Sequence, residues 1–141
     1  CSSDLKEEAR FEYKGFPCVI RLLPDGYRCG YVGLPKGIAV DTDKIDCHGN
    51  INYRESTLPE SDGDGYFWIG FDCGHACDGR DWDAAKNLYS DDEEVMKFIS
   101  KQEEWGLVDY YKDYPVVTLE RCKNECQNIV EQILKRKGEL Q

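Results

Sequence analysis

The stretch CVIRLLPDGYRCGYVGL, residues 18–34, decides the fold class of this chain. Its two halves are apolar and rich in β-branched and aromatic residues, which is the composition of β-strands. Between them, Asp25-Gly26 supplies the positive φ angle that a tight antiparallel turn requires. Upstream, Gly15-Phe16-Pro17 predicts the turn through which the chain enters the first strand. The stretch therefore predicts an antiparallel hairpin with strands at residues 18–23 and 27–34.

A third strand and a change to helical spacing follow the hairpin. Residues 66–73 predict a strand that is apolar on both faces over residues 67–69, which is typical of a central strand, and the Pro-, Gly- and Asp-rich residues 55–65 before them predict a loop. Ser90 and Glu93 match a capping box, and the apolar spacing after them predicts a helix over about residues 91–103. A shorter helix is expected at residues 81–89.

The C-terminal segment predicts the longest helix, over about residues 117–137. Its apolar residues fall on one face, basic residues crowd its end, and Gly138 is expected to end it. Strands come first and helices last, without alternating βαβ units. We therefore expect an α+β fold, in which two or three helices pack on one face of an antiparallel sheet built from the N-terminal two-thirds. We expect one domain over residues 1–141, with residues 1–10 as a candidate disordered segment.

Length, charge and hydropathy argue against several classes of function. A chain of 141 residues with nine Tyr, five Phe and three Trp can bury a core of its own. Its formal net charge of −10 argues against a surface that binds duplex nucleic acid by neutralising phosphates. No stretch approaches the ~20 apolar residues of a membrane-spanning helix, and the N-terminus lacks the apolar core of a signal peptide. We therefore expect a cytoplasmic protein without membrane contact.

Eight cysteines are many for a cytoplasmic protein. Cys18, Cys29, Cys122 and Cys126 each lie within an apolar pattern, where a free cysteine behaves as a small hydrophobic residue. We therefore expect reduced thiols rather than four disulfides. Because Cys122 and Cys126 are one helical turn apart, we interpret them as core side chains and not as a redox pair.

The segment GFDCGHACDGRD, residues 70–81, concentrates candidate site residues at the end of a strand. If the junction that holds the other histidine lies beside it, four potential ligands converge: His48, Asp72, His75 and Asp78. Two imidazoles and two carboxylates suit a divalent transition metal with open positions, which could activate water. A closed zinc site would instead add a thiol from Cys47, Cys73 or Cys77. The spacing matches no standard zinc motif, so we commit to no cofactor.

The same residues have two other interpretations. The histidines can orient loops through hydrogen bonds, while the aspartates cap turns or the following helix. Alternatively, Cys73 is a nucleophile, with His75 close in sequence and Asp72 orienting a base.

The hairpin segment GYRCGYVG, residues 26–33, is a second candidate site. Its glycines let a ligand approach the backbone, Tyr27 and Tyr31 offer rings that stack on a base, and Arg28 can pair with a phosphate. The alternative is an ordinary hairpin with an exposed Arg28. The chain has no P-loop and no GxGxxG motif, which argues against an NTPase or a dinucleotide-dependent oxidoreductase.

Four segments, taken in order, resemble a family of small uncharacterised bacteriophage and prophage proteins. They are GYRCGYVGLPKG, DCHGNINY, WIGFDCGHACDG and YPVVTLERCKNECQNIVEQI, and the resemblance covers about residues 11–135. The family pattern comprises a cysteine hairpin, an HGGLTY-like element, a GFDCAH element and a C-terminal helix. The residues that match it directly are Cys29, Gly30, Tyr31, Val32, His48, Gly49, Asp72, Cys73, His75 and Asp78. The chain departs from the pattern at HGN, which replaces a double glycine, and at PKGIAVDTDK, which replaces a longer segment containing His and Tyr.

The resemblance implies a phage accessory protein in the cytoplasm of an infected or lysogenic bacterium, and it implies no activity. We interpret the chain as a counter-defence protein, not an enzyme, that sequesters a small anionic, nucleotide-derived ligand. The expected contacts are Arg28, Tyr31, His48, Tyr53, Asp72, His75 and Asp78. Two alternatives stay open. One is a metal-dependent phosphoesterase that uses the four potential metal ligands named above. The other is an acidic protein that inhibits a host nuclease by surface binding, so that its partner is a host defence protein.

Overall fold

The computed structural model has the α+β fold that the order of strands and helices predicts. It describes residues 6–24, 26–38, 41–48, 50–58, 65–74, 78–107 and 112–139. Five strands form one antiparallel sheet in the order β1-β2-β3-β5-β4, and they are β1 (Lys6–Tyr13), β2 (Phe16–Leu22), β3 (Arg28–Leu34), β4 (Tyr53–Glu55) and β5 (Phe67–Asp72). The helices are α1 (Trp82–Leu88), α2 (Glu93–Glu104) and α3 (Leu119–Glu139).

The hairpin of β2 and β3 and the central position of β5 confirm the predictions for those strands. Leu22 pairs with Arg28 at the closed end of the hairpin, and Gly26 in the turn has φ +89°. Strand β5 pairs with β3 on one side and with β4 on the other. Because both of its edges and both of its faces are occupied, its apolar composition is that of a buried strand.

Strand β1 is the element that the sequence analysis missed. Residues 6–10, a candidate for disorder, pair with β2 and form an edge of the sheet. The sequence KEEARFEY is rich in Lys and Glu, which are depleted in strands, so its composition conceals the strand. The register shifts between Glu7 and Ala9, which makes Glu8 an extra residue in a β-bulge.

The two faces of the sheet have different coverings. One, which we call the helix face, packs against α3 and includes Cys18, Ile20, Val32, Ile69 and Phe71. The other, which we call the tyrosine face, includes Val19, Cys29, Tyr31 and Trp68, together with Leu58 from the segment after β4. Neighbours along a strand alternate between these faces, so their side chains lie on opposite sides of the sheet.

Helix α3 covers the helix face with the apolar stripe that its sequence predicts. Five of its side chains are fully buried: Cys122, Cys126, Ile129, Val130 and Ile133. Each buried isoleucine contributes about 2 kcal/mol of hydrophobic stabilisation. Gly30 in β3 lets the helix approach, since a Cβ there would lie 3.2 Å from Cys126 Sγ and 2.5 Å from the Phe71 ring.

Helices α1 and α2 form a second apolar cluster around Leu22 at the end of β2, with Trp82, Ala85, Tyr89, Val95 and Ile99. The Tyr89 hydroxyl donates to the Leu22 carbonyl at 2.6 Å, which fixes this cluster to the sheet. Helix α2 begins at Glu93, and its N-cap is Asp92, whose side chain accepts from Val95 N. The capping box predicted at Ser90 is therefore wrong by two residues, because an aspartate next to the helix supplies the acceptor instead.

Candidate functional site

Arg28 is a buried structural residue, neither an exposed side chain nor one that lines an open site. It is 3% exposed, and its guanidinium donates to the Glu8 carboxylate at 2.5 and 3.0 Å, to Asp81 Oδ2 at 2.9 Å and to the Val117 carbonyl at 3.1 Å. Burial alone would lower the pKa of Arg28, but the hydrogen bonds with Glu8 and Asp81 raise it overall. The bulge in β1, the start of α1 and the segment before α3 are thus held together by one side chain.

Tyr31 and Tyr53 lie together on the tyrosine face, on the other side of the sheet from Arg28. Their rings meet edge to face, with centroids 5.3 Å apart, and the Arg21 guanidinium lies 5.8 Å from the Tyr31 centroid. The Tyr53 hydroxyl donates to the Thr57 carbonyl. Burial raises the pKa of both phenols, so they stay protonated at neutral pH. The trio of Tyr27, Arg28 and Tyr31 does not converge, because strand alternation separates the arginine from the tyrosines.

His48 and Asp78 meet, as the sequence analysis considered. His48 Nε2 lies 2.9 and 3.0 Å from the two carboxylate oxygens of Asp78, which is 6% exposed, and His48 N donates to Glu125 at 2.9 Å. Such a contact fixes the orientation of an imidazole ring. It ties the segment before β4 to the segment before α1, which is the loop-orienting role considered for the histidines.

The other potential metal ligands are not brought to this pair within the described residues. Asp72 accepts from Asn52 Nδ2 and, at 3.1 Å, from Gly74 N, so it caps a turn. His75 and Cys77 lie outside the described residues. In the described part of the chain, no group of three or more His, Cys, Asp or Glu side chains is arranged to hold a metal ion.

The buried thiols form contacts between the sheet and α3. Cys73 Sγ lies 3.7 Å from Cys122 Sγ, and the thiols of Cys18 and Cys126 lie in the same core cluster. The six described cysteines are free, as expected. The contact with Cys122, together with burial, raises the pKa of Cys73, and the contact with Cys18 does the same for Cys126. Thiols held in the protonated form are poor nucleophiles, which supports a packing role for Cys73.

A groove lies at the C-terminal end of β3, and it combines an open cavity with an exposed cation and an exposed aromatic ring. Its volume is about 490 Å³, within the range of small-molecule pockets. One wall is the end of β3 and the turn after it, and the other is the segment after β4 with the start of β5. Its described lining is Leu34, Pro35, Lys36, Gly37, Ile38, Ser56, Thr57, Gly65, Tyr66 and Phe67. We call this the Lys36 groove.

The turn that carries Lys36 follows from its sequence. Ile38 N donates to the Pro35 carbonyl at 3.2 Å, and Gly37 has φ +88°, as the third residue of a type II turn requires. Lys36 is therefore at the exposed tip of the turn, and it makes no hydrogen bond or ion pair among the residues described. Opposite the turn, Phe67 is 43% exposed although it begins a central strand.

Sequence reasoning missed this groove, although the signal was present. The Pro-Lys-Gly tripeptide entered only as part of a family motif, yet it predicts a turn with a cation at its tip. The register of β3 and β5, which pairs Leu34 with Phe67, then brings the turn to the aromatic end of β5. Because the paired residues are 33 positions apart in sequence, the pairing is visible only in the folded chain.

The membrane-span search and the comparisons with known proteins gave negative results. No helix in the described residues has the length and apolar character needed to cross a bilayer. The chain matches no protein-family model, no curated protein and no solved structure.

Proposed function

We propose that this protein binds a small anionic ligand in the Lys36 groove and holds it without turnover. The observation that carries the proposal is the combination, in one groove, of a lysine with no ion pair among the described residues and an exposed aromatic ring. An ammonium group attracts a phosphate or carboxylate, and the Phe67 ring offers a face on which a base can stack. Ser56 and Thr57 on the same wall bring hydroxyl and backbone groups for orientation.

The composition of the groove supports binding rather than catalysis. Its described lining contains no carboxylate, imidazole or thiol. The hydroxyls of Ser56 and Thr57 therefore have no carboxylate or imidazole beside them in this lining to activate them as nucleophiles. The motif resemblance gives the setting of the proposal, which is a phage protein that sequesters a nucleotide-derived signal in the cytoplasm of its host.

Isothermal titration with adenosine monophosphate tests the proposal. Lys36→Ala and Phe67→Ala are each expected to weaken binding about tenfold, which corresponds to roughly 1.4 kcal/mol. Lys97→Ala and Phe98→Ala remove an exposed lysine and a 40% exposed phenylalanine from α2, and they are the matched controls. Equal loss in the controls, or no heat of binding to the native protein from adenosine monophosphate or from any other adenine nucleotide, would overturn the proposal.

Two further measurements, of nucleotide turnover and of nuclease inhibition, distinguish the proposal from its two alternatives. A metal-dependent phosphoesterase using His48, Asp72, His75 and Asp78 predicts release of phosphate in the presence of Mn²⁺ or Zn²⁺, which chromatography of the incubated nucleotide detects. An acidic inhibitor of a host nuclease predicts that Lys36→Ala and Phe67→Ala keep full inhibition. Binding that is lost in both groove variants, with the nucleotide recovered intact, favours the proposal over both alternatives.

A further inference from the structure

We infer that the Lys36 groove selects ligands with a single negative charge, so that its ligand class is the planar aromatic monoanion, of which a nucleoside cyclic monophosphate is the nucleotide example. The inference rests on the proposed function and adds a rule of selectivity to it. It follows from the number of positively charged side chains that can reach a ligand in the groove.

Lys36 is the one cation in the described lining of the groove. One ammonium group can neutralise one negative charge. A phosphomonoester carries ~1.5 to 2 negative charges at neutral pH, and a triphosphate carries more.

The nearest cation on the neighbouring edge strand is already bound. Arg54 in β4 donates from Nε to Thr42 Oγ1 at 2.5 Å and from Nη2 to Asp43 Oδ1 at 3.1 Å. Moving it to a ligand would break both bonds, so it is a poor source of a second positive charge. Arg28, at the other end of β3, is buried among its own partners.

The charge of the whole chain acts in the same direction. A net charge of −10 repels polyanions, and this repulsion grows as the salt concentration falls and screening weakens. A monoanion meets less of this repulsion and can still pair with Lys36. The apolar and hydroxyl-bearing lining, with Tyr66 held 6.0 Å from the Trp68 ring, then favours an aromatic ligand over an aliphatic one.

A charge series on one base tests the rule by titration calorimetry at 150 mM and 20 mM salt, without added metal. The probes are adenosine, adenosine 3′,5′-cyclic monophosphate, adenosine monophosphate and adenosine triphosphate. We expect the cyclic nucleotide to bind ~10-fold more tightly than adenosine, since it adds one charge-assisted contact. We expect the triphosphate to bind more weakly than the cyclic nucleotide, with a gap that widens at low salt.

Lys36→Ala should reduce the preference for the cyclic nucleotide over adenosine to about twofold or less, and Lys36→Arg should retain it. Because Lys36 is exposed, both variants are expected to keep the unfolding temperature of the native protein, which a thermal melt checks. Tightest binding of the triphosphate would overturn the charge rule while leaving the groove as a binding site. Absence of binding by all four probes would overturn the proposed function and the rule together.

Discussion

The two ends of β3 each carry a cation, and the fold uses them in opposite ways. Arg28 begins the strand, is buried, and bonds to Glu8, Asp81 and the Val117 carbonyl. Lys36 follows the other end, is exposed, and has no ion pair in the described part of the chain. We call these the closed end and the open end. A cation inside a motif therefore indicates binding only where the fold leaves it without a partner.

Removing the cation at the closed end should have the largest effect on stability. Arg28→Ala leaves the carboxylates of Glu8 and Asp81 without their shared partner, and we expect it to lower the free energy of unfolding by ~3 kcal/mol. Lys36→Ala, the matched change at the open end, should alter it by less than about 0.5 kcal/mol. Urea unfolding followed by circular dichroism measures both values.

Arg28→Lys tests whether the charge of Arg28 or its planar set of donors stabilises the fold. It keeps the charge but cannot supply the planar set of donors that reaches three partners, so an intermediate loss is expected. If Arg28→Ala and Lys36→Ala proved equally mild, the distinction between a structural and an available cation would fail.

Replacing a glycine near each end of β3 by alanine should lower the free energy of unfolding for a different physical reason. Gly30→Ala places a methyl group against Phe71 and Cys126, and overpacking of this kind costs about 2 kcal/mol. Gly37→Ala, in the turn of Lys36, meets open space, so its cost of about 1 kcal/mol comes from its positive φ alone. Thermal and urea unfolding rank the two variants. A larger loss in Gly37→Ala would contradict the tight packing of α3 on β3.

Breaking the contact between His48 and Asp78 should lower the free energy of unfolding by about 1 kcal/mol, less than Gly30→Ala, because one hydrogen bond is lost between two loops. His48→Ala removes it, and His48→Gln, which keeps a donor, should recover part of the loss. Neither variant should change nucleotide affinity, since neither residue is in the described lining of the Lys36 groove. Loss of binding in His48→Ala, with the fold intact, would move the site to the closed end.

Local signals predicted the elements, whereas the partners of the polar residues depend on the whole fold. The hairpin turn at Gly26 and the apolar stripe of α3 are legible in sequence because the turn residue and the helical period are local. The residues that bond to Arg28 are 20, 53 and 89 positions away, so no spacing could reveal that it is buried. Strand β1 was missed for the same reason, since pairing with β2 decides its conformation and its own composition does not.

Thiol reactivity gives the test with the smallest effect on stability. Burial, and then the charges of Glu125 and Asp46, raise the pKa of Cys47 to about 11, so at pH 8 about one thiol in a thousand is a thiolate. A Lys36→Cys variant should have a thiol of ordinary pKa, near 8.5, and should be alkylated by iodoacetamide at pH 8 at least about tenfold faster than Cys47. Peptide mapping by mass spectrometry assigns each rate.

The pH dependence of the labelling follows from the direction of the shift at Cys47. Because its pKa in the folded protein lies above the ordinary value, its labelling rate should keep rising with pH until about 11, whereas labelling at position 36 should level off about two pH units earlier. By the same linkage, the stability that protonated Cys47 contributes is complete below pH 9 and is lost as the pH rises through about 11. If Cys47 reacted as fast as the thiol at position 36, its segment would be as open as the Lys36 turn. The burial of Cys47 would then give it no protection that the exposed turn lacks.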